Sequence, residues 1–507
     1  MALKMLQNIL RNNAIWALMA IAINMIINFT IVPYISNQIG LEAYGFVNLA
    51  NTMITYIDII SIALNAFACR YIAIEYHRGN YGKSNQYYSS TIISNLCLSA
   101  AIVVVGIIFV TNIQKVLKIS NGLLMNVQIL FYTVIVRYIF VLMRNAFDVS
   151  TFISNRLDLT EKLRSISYII QVSILLACII NLSPKVWYVG LTSAIASFFL
   201  FISQFLLTKK LTPRLHFSAN EFSLHCVLDL LSSGIWNSLN NLGNVLNSGL
   251  DLIVANLMIS GTGMGQISIA TTLSSLCYTM VTAISNSFRP KQLELYSKNK
   301  KVDLIHSLIQ SMKITGIISS IIISGFISCG SEFLQLWLNN YLNINVIYRL
   351  SIIALLGIVA TGVVNPLYYV FTLTNKLRVP CIITIAMGIL NLISMVLLIR
   401  TTDIGIYAIV MTTMALNSVH FIDTPIYAAH CLQIKWHTFY GVILKHISNI
   451  ILSSMIMLLV NTIYPVATSW ISLIMKIIIY GIIGLLISVI LNAKYIRIVV
   501  TQRRKSK

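Results

Sequence analysis

Long apolar runs, interrupted by short turns, cover almost the whole chain. Most runs are close to the roughly 20 residues that a helix needs to cross the hydrocarbon core of a bilayer. The pattern predicts fourteen spanning helices, at 13–35, 46–69, 88–110, 127–148, 164–182, 186–207, 227–258, 266–288, 306–329, 347–373, 380–399, 404–429, 441–461 and 468–492. The seventh and twelfth are long enough to tilt or to project beyond the membrane. The first run follows Lys4 and Arg11 and offers no small-residue cleavage site, so it reads as a retained helix.

Composition supports the same picture. Of 507 residues, 57% are hydrophobic and only 10% charged, against about 25% charged in soluble domains. A water-soluble globular protein is excluded. The formal net charge of +21 would suggest nucleic acid in a soluble chain. Here the charge alternates by loop. Of 35 Lys and Arg, 27 fall at the termini and in the loops near 70–86, 144–164, 208–226, 289–305, 374–379 and 430–445; four (Lys115, Lys118, Lys185, Arg400) fall on the opposite side. Basic loops stay in the cytoplasm, so both termini are expected there, with no nucleic-acid partner. The eight cysteines are scattered, with no CxxC pair, so neither a disulfide framework nor a metal site is expected.

The chain also repeats itself at an offset of about 220 residues. Asn24 falls on Asn244, Gly45 on Gly265, and Asn155-Arg156-Leu157 on Asn375-Lys376-Leu377; Arg70 and Arg289 are 219 apart. Each repeat holds six spans, so both enter the membrane from the same side. The expected fold is an all-α polytopic membrane protein of about fourteen helices, with two parallel six-helix repeats around a central cleft. The expected divisions are 1–215 for the first lobe, 216–432 for the second, and 433–507 for two extra C-terminal helices and a basic tail.

Polar groups inside a bilayer must find partners or water. Asn24 and Asn28 share a face of the first helix, with Pro33 near its outer end. Asn240, Asn244, Asn247 and Asp251 follow helical spacing along the seventh. These asparagines and Asp251 are candidates for a sugar-binding wall, or for interhelical hydrogen bonds. Asp58, Asp251 and Asp423 are the intramembrane acids. Asp58 and Asp251 are candidates for ion coupling, and His420, close to Asp423, for a proton relay. Arg137 lies two turns deeper than the Arg144–Asp148 pair and has no local acid; its planar fork suits phosphate oxygens, and the alternative is snorkelling or pairing with an acid on another helix. Gly45 and Gly265 are structural or gating candidates with Pro33. Lys476 has no evident partner. No Walker sequence or catalytic constellation occurs, so no catalytic residue is named and no cofactor is expected beyond a coupling H⁺ or Na⁺.

The first hairpin carries Pro33, Gly40, Tyr44 and Gly45 at the spacing Pro-x6-Gly-x3-Tyr-Gly; Ser248-x2-Asp251 and Asn375-Lys376 follow later. In these residues the chain resembles the bacterial polysaccharide flippases of the multidrug/oligosaccharidyl-lipid/polysaccharide exporter superfamily. The resemblance implies two six-helix lobes forming a V-shaped cleft, plus two further helices. It also implies transport of undecaprenyl-pyrophosphate-linked repeat units across the inner membrane, for O-antigen (lipopolysaccharide), capsule or a similar glycan. The expected partners are the lipid-linked oligosaccharide, membrane lipids and other polysaccharide-assembly proteins. Some related flippases line the cleft with basic residues from the first helices, and here the first helix has none. The rival expectations are an ion-coupled exporter of drugs or metabolites on the same fold, and a membrane glycan polymerase. The outer loops are too short to hold an acceptor for the latter.

Overall fold

The computed structural model describes residues 22–23, 25–338 and 343–505, with side chains through Leu491. Helices dominate, and no strand occurs among the described residues. Twelve helical stretches among those residues are long and apolar enough to cross a membrane. Two of the fourteen spans read from hydropathy account for the difference. The first lies partly outside the described residues, and its helix is seen over 25–38 (α1). The twelfth is broken into two short helices.

The described residues up to Gly265, with Thr384–Ile389, form one compact unit, and the remainder form a second. In the first unit α1 is followed by α2 (Leu41–Asn65), α3 (Ala68–His77), α4 (Tyr81–Thr111), α5 (Ile113–Val116), α6 (Leu124–Phe147), α7 (Val149–Ile153), α8 (Leu157–Asn181), α9 (Trp187–Leu211) and α10 (Leu224–Asn244). The path then continues through a π-helical turn at Val245–Gly249, α11 (Asp251–Val254) and a second π turn at Ala255–Ile259. α6 packs along α9, and α2 along α10. Both contacts need glycine. A Cβ on Gly190 would lie 2.1 Å from the Thr133 hydroxyl, and one on Gly234 would lie 2.0 Å from the Ala63 carbonyl. Polar side chains join helices in this unit as well. Asn65 and Asn95 exchange two amide hydrogen bonds of 3.0 Å, and Asn95 also donates to the Leu142 carbonyl.

α12 (Gly261–Ser297) carries the chain into the second unit, followed by α13 (Lys301–Leu338), α14 (Ile344–Val364), α15 (Tyr368–Leu373), α16 (Arg378–Thr401), α17 (Tyr407–Val419), α18 (Asp423–Cys431), α19 (Tyr440–Ile463) and α20 (Trp470–Lys505). α13 packs against α14, α19 and α20. Its buried face is a ridge of small residues that includes Ser311, Thr315, Gly316, Ser319, Ser320, Ser324 and Ser328, which lets neighbouring helices approach closely. His446 of α19 is buried on this ridge, with its Nδ1 2.9 Å from the Ser320 hydroxyl and its Nε2 3.1 Å from the Val359 carbonyl.

The internal repeat is written into the backbone. Helices start at 41 and 261, 81 and 301, 124 and 344, 157 and 378, and 187 and 407, each pair 220 or 221 residues apart. The turns match too. Asn155 and Asn375 take left-handed φ values of 52° and 54°, and Gly79 and Asn299 take 79° and 53°. Each closes its helix through an N–H to the carbonyl five residues back: Arg156 to Thr151, Lys376 to Phe371, Asn80 to Glu75, and Lys300 to Leu295. This is the helix-terminating motif that glycine or asparagine allows.

Candidate functional site

A cavity of about 480 Å³ opens within the first unit, among α1, α2, α6, α8 and α9. Its charge comes from Arg137 and Arg144 on α6 and Arg164 on α8, and no carboxylate lines it among the described residues. Asn28, Asn48, Asn51, Gln171 and Tyr168 add amide and phenol groups. The volume lies within the usual range for small-molecule pockets. Arg137 and Arg144 are seven residues apart, so they share a face of α6, separated by about 10 Å along the axis.

The three guanidinium groups are not equivalent. Arg144 lies 3.5 Å from Asp148, and Arg164 pairs with Glu161 at 3.0 Å, so each has an acid on its own helix or at its end. Arg137 instead donates from Nη1 to the Asn51 side-chain oxygen at 2.6 Å, and among the described residues it makes no ion pair. Asp58, on the same helix as Asn51, accepts a 2.5 Å hydrogen bond from Tyr138. Arg137 thus sits in a partly buried, polar cavity with an amide at contact and the Asp58 carboxylate attracting it through space. Several of its five donors remain for a ligand. A planar fork in such a place suits the oxygens of a phosphate or carboxylate.

The structure brings Asn28 and Arg137 together at this cavity, with Asp58 beside them through Tyr138. Asn24 lies outside the described residues. Asn244, Asn247 and Asp251 belong to the stretch that packs on α2, where Tyr56 donates to the Gly249 carbonyl at 2.5 Å and Ser238 to the Ile59 carbonyl. They do not line the cavity. The π turn at Val245–Gly249 inserts an extra residue per turn and breaks the helical stripe. Asn240 and Asn244 are exposed, and Asp251 is buried. Pro33 lies within α1, where the Ser36 hydroxyl bonds the Val32 carbonyl at 2.6 Å. Gly45 and Gly265 meet directly: a Cβ on Gly45 would lie 3.0 Å from the Gly265 nitrogen, and one on Gly265 would lie 2.1 Å from the Leu41 carbonyl oxygen. In the second unit His420 Nδ1 lies 3.1 Å from both Asp423 oxygens, at the break between α17 and α18.

Sequence reasoning passed over Asn51, Arg164, Tyr168 and Gln171. Arg164 was counted among the basic loop residues. An asparagine inside a span carries no mark of which cation it faces.

A family model described as polysaccharide biosynthesis protein matches residues 10–289. The chain is 25% identical over 425 residues to EpsK, an uncharacterized membrane protein of Bacillus subtilis strain 168, across 83% of each chain. Its fold is similar to an inward-facing multidrug resistance MATE family transporter of the MOP superfamily, with a TM-score of 0.64 at 13% identity over 82% of this chain and 98% of that one. It is also similar to the lipid II flippase MurJ in an inward closed conformation, with a TM-score of 0.63 at 14% identity over 94% of this chain and all of the other.

Proposed function

Because this multi-pass membrane protein belongs to the polysaccharide biosynthesis protein family, we propose that it is a flippase for undecaprenyl-pyrophosphate-linked oligosaccharide repeat units. It moves them from the cytoplasmic to the outer leaflet of the bacterial inner membrane by alternating access. The observation that carries this reading is the cavity, lined by no carboxylate among the described residues, in which Arg137 is held by a neutral amide. The pyrophosphate binds at Arg137, with Arg144 and Arg164 forming a cationic approach to it. Asn28, Asn48 and Gln171 offer hydrogen bonds to the adjoining sugar, and the polyprenyl chain stays in lipid. Asn244, Asn247 and Asp251, which lie outside this cavity, are further candidate contacts for the sugar, as is Asn24, and Asp58 or Asp251 couples the cycle to H⁺ or Na⁺. Both termini lie in the cytoplasm, as the basic loops require. A cavity lined by arginines disfavours cationic drugs, which weighs against a drug exporter on the same fold.

The test is a gene deletion followed by locating the lipid-linked saccharide across the inner membrane. Single repeat units trapped in the cytoplasmic leaflet, with surface glycan lost, are expected. Restoring the gene as Arg137→Ala is expected to leave them trapped, and Asp251→Asn to slow their release. Wild-type glycan from both variants at normal protein levels overturns the residue assignment. Units that reach the outer leaflet in the deletion strain overturn the flippase reading itself.

A further inference from the structure

Asn51 does more than touch Arg137. Its side-chain nitrogen donates to the Val47 carbonyl one turn earlier on α2, at 2.9 Å. This fixes the amide plane with its oxygen toward the guanidinium, which donates to it at 2.6 Å. The nearest acid along the same helix, Asp58, accepts from Tyr138 at 2.5 Å and acts on Arg137 through space, not by contact. The cavity's other two arginines face carboxylates three or four residues away in the chain. Among the three, the residue opposite Arg137 alone is neutral.

We propose that Asn51 is a positioning residue that sets the charge preference of the cavity. It holds Arg137 in place without neutralising it, so the guanidinium stays available for an anionic phosphate or pyrophosphate group. The proposal rests on the anion-binding reading of the cavity and adds the determinant of its sign. An aspartate has the shape of asparagine but loses the donation to the Val47 carbonyl, so its carboxylate is free to turn onto the guanidinium. It would also replace a charge–dipole contact with an ion pair, in which two opposite charges attract directly. Arg137 would then be committed to the protein, and an incoming anion would meet a carboxylate beside it. The second repeat is consistent with this pairing. Position 271, equivalent to Asn51, is threonine, and position 357, equivalent to Arg137, is glycine. The amide and the guanidinium are both absent there.

The experiment is calorimetric titration of the purified full-length protein in detergent with inorganic pyrophosphate, for wild type, Asn51→Asp, Arg137→Gln and the double variant. Arg137→Gln is expected to weaken binding tenfold or more. Asn51→Asp should weaken it by a similar factor while unfolding near the wild-type temperature, the ion pair offsetting the lost bond to Val47, which a purely structural role would not produce. The double variant should bind no more weakly than the worse single one, because both changes remove the same free guanidinium. Undecaprenyl pyrophosphate, titrated in parallel, separates a lipid headgroup, held more tightly than the inorganic ion, from a soluble phosphate compound, held no more tightly; the Asn51 effect is expected with either. Wild-type binding by Asn51→Asp, alongside a weakened Arg137→Gln, overturns the role of Asn51 and leaves the cavity reading intact. Pyrophosphate binding that ignores Arg137→Gln, or is absent from the wild type, overturns the cavity reading and this inference with it.

Discussion

Lys476 and Glu332 form an ion pair inside the second unit, with Nζ 2.7 Å and 3.0 Å from the two carboxylate oxygens. The side chains are 2% and 6% exposed. At an effective dielectric of about 20, two charges 2.7 Å apart attract by roughly 6 kcal/mol. Removing each ion from water costs several kcal/mol, so the intact pair contributes little net stability. Breaking it is a different matter. In Lys476→Met the Glu332 carboxylate keeps one visible donor, the Ala467 N–H at 3.1 Å, and stays buried with its charge uncompensated. The expected loss is about 3–5 kcal/mol. Glu332→Gln strands the ammonium in the same way and should cost a similar amount. Lys476→Met combined with Glu332→Gln leaves no buried charge. The new amide oxygen can still accept from the Ala467 N–H, so most of the loss should be recovered.

Unfolding of the purified protein in mixed micelles, followed by the fluorescence of its six tryptophans, measures all four forms. With each single variant costing about 3–5 kcal/mol and most of that recovered in the double, the coupling between the two sites should reach about 4 kcal/mol or more, above the usual range for contacting pairs. Two results would refute the reasoning: a Lys476→Met protein within about 1 kcal/mol of wild type, or a double variant no more stable than the worse single one. The pair ties α20 to α13, and Tyr480 bonding Asn461, with Asn461 bonding the Ser328 carbonyl, extends the link to α19. The single variants should therefore loosen the two helices that lie outside the repeat first.

Two further outcomes follow from the geometry of the first unit. Gly265→Ala puts a methyl group 2.1 Å from the Leu41 carbonyl oxygen, so backbone must move by more than about 1 Å at a cost of about 1–3 kcal/mol; Gly45→Ala meets chiefly the flexible Met264 methyl and should cost less. Thermal unfolding and surface-glycan output should both rank the variants in that order, and equal tolerance of the two would show that the close approach is not required. Tyr138→Phe removes the donor that occupies Asp58, leaving the carboxylate to compete for Arg137. Pyrophosphate binding should then fall several-fold and return when Asp58→Asn is added, whereas unchanged binding by Tyr138→Phe alone counts against Asp58 as the competitor.

The spans, the repeat and the loop charges were legible because each is a local or periodic property of the chain. The exceptions have physical causes. Hydropathy placed Glu332 in an outer loop, so Lys476 had no partner in sight; α13 runs on to Leu338 and buries that carboxylate 144 residues away from its lysine. Asn240 to Asp251 read as one stripe because an unbroken α period was assumed, and nothing in the residues Val245–Gly249 announces a π turn. Span 404–429 looked continuous because its hydropathy is continuous. The backbone bonds of His420, Phe421 and Ile422 nevertheless run to carbonyls three residues back, and the helix restarts at Asp423. Arg137 was legible as a charge without a local acid, but its tether was not. A sequence names a buried cation, whereas only packing decides whether an amide or a carboxylate faces it.

The two repeats share their helices and turns but not the arginines of this cavity. By the 220-residue offset, Arg137, Arg144 and Arg164 correspond to Gly357, Val364 and Thr384. Cavity residue Ser197 of α9 corresponds to Asn417 of α17, and a Cβ on Gly357 would meet the Asn417 amide at 3.4 Å and the Met414 Cα at 3.5 Å. Both units pack these helix pairs together, α6 on α9 and α14 on α17; the side chains are what differ. A duplicated scaffold needs its helix-terminating asparagines twice, because both copies must fold. A substrate with a single anionic end needs its cationic site once. Arginines in one copy, with small or apolar residues at the corresponding positions of the other, are the pattern expected when folding constrains both repeats and ligand charge constrains only one.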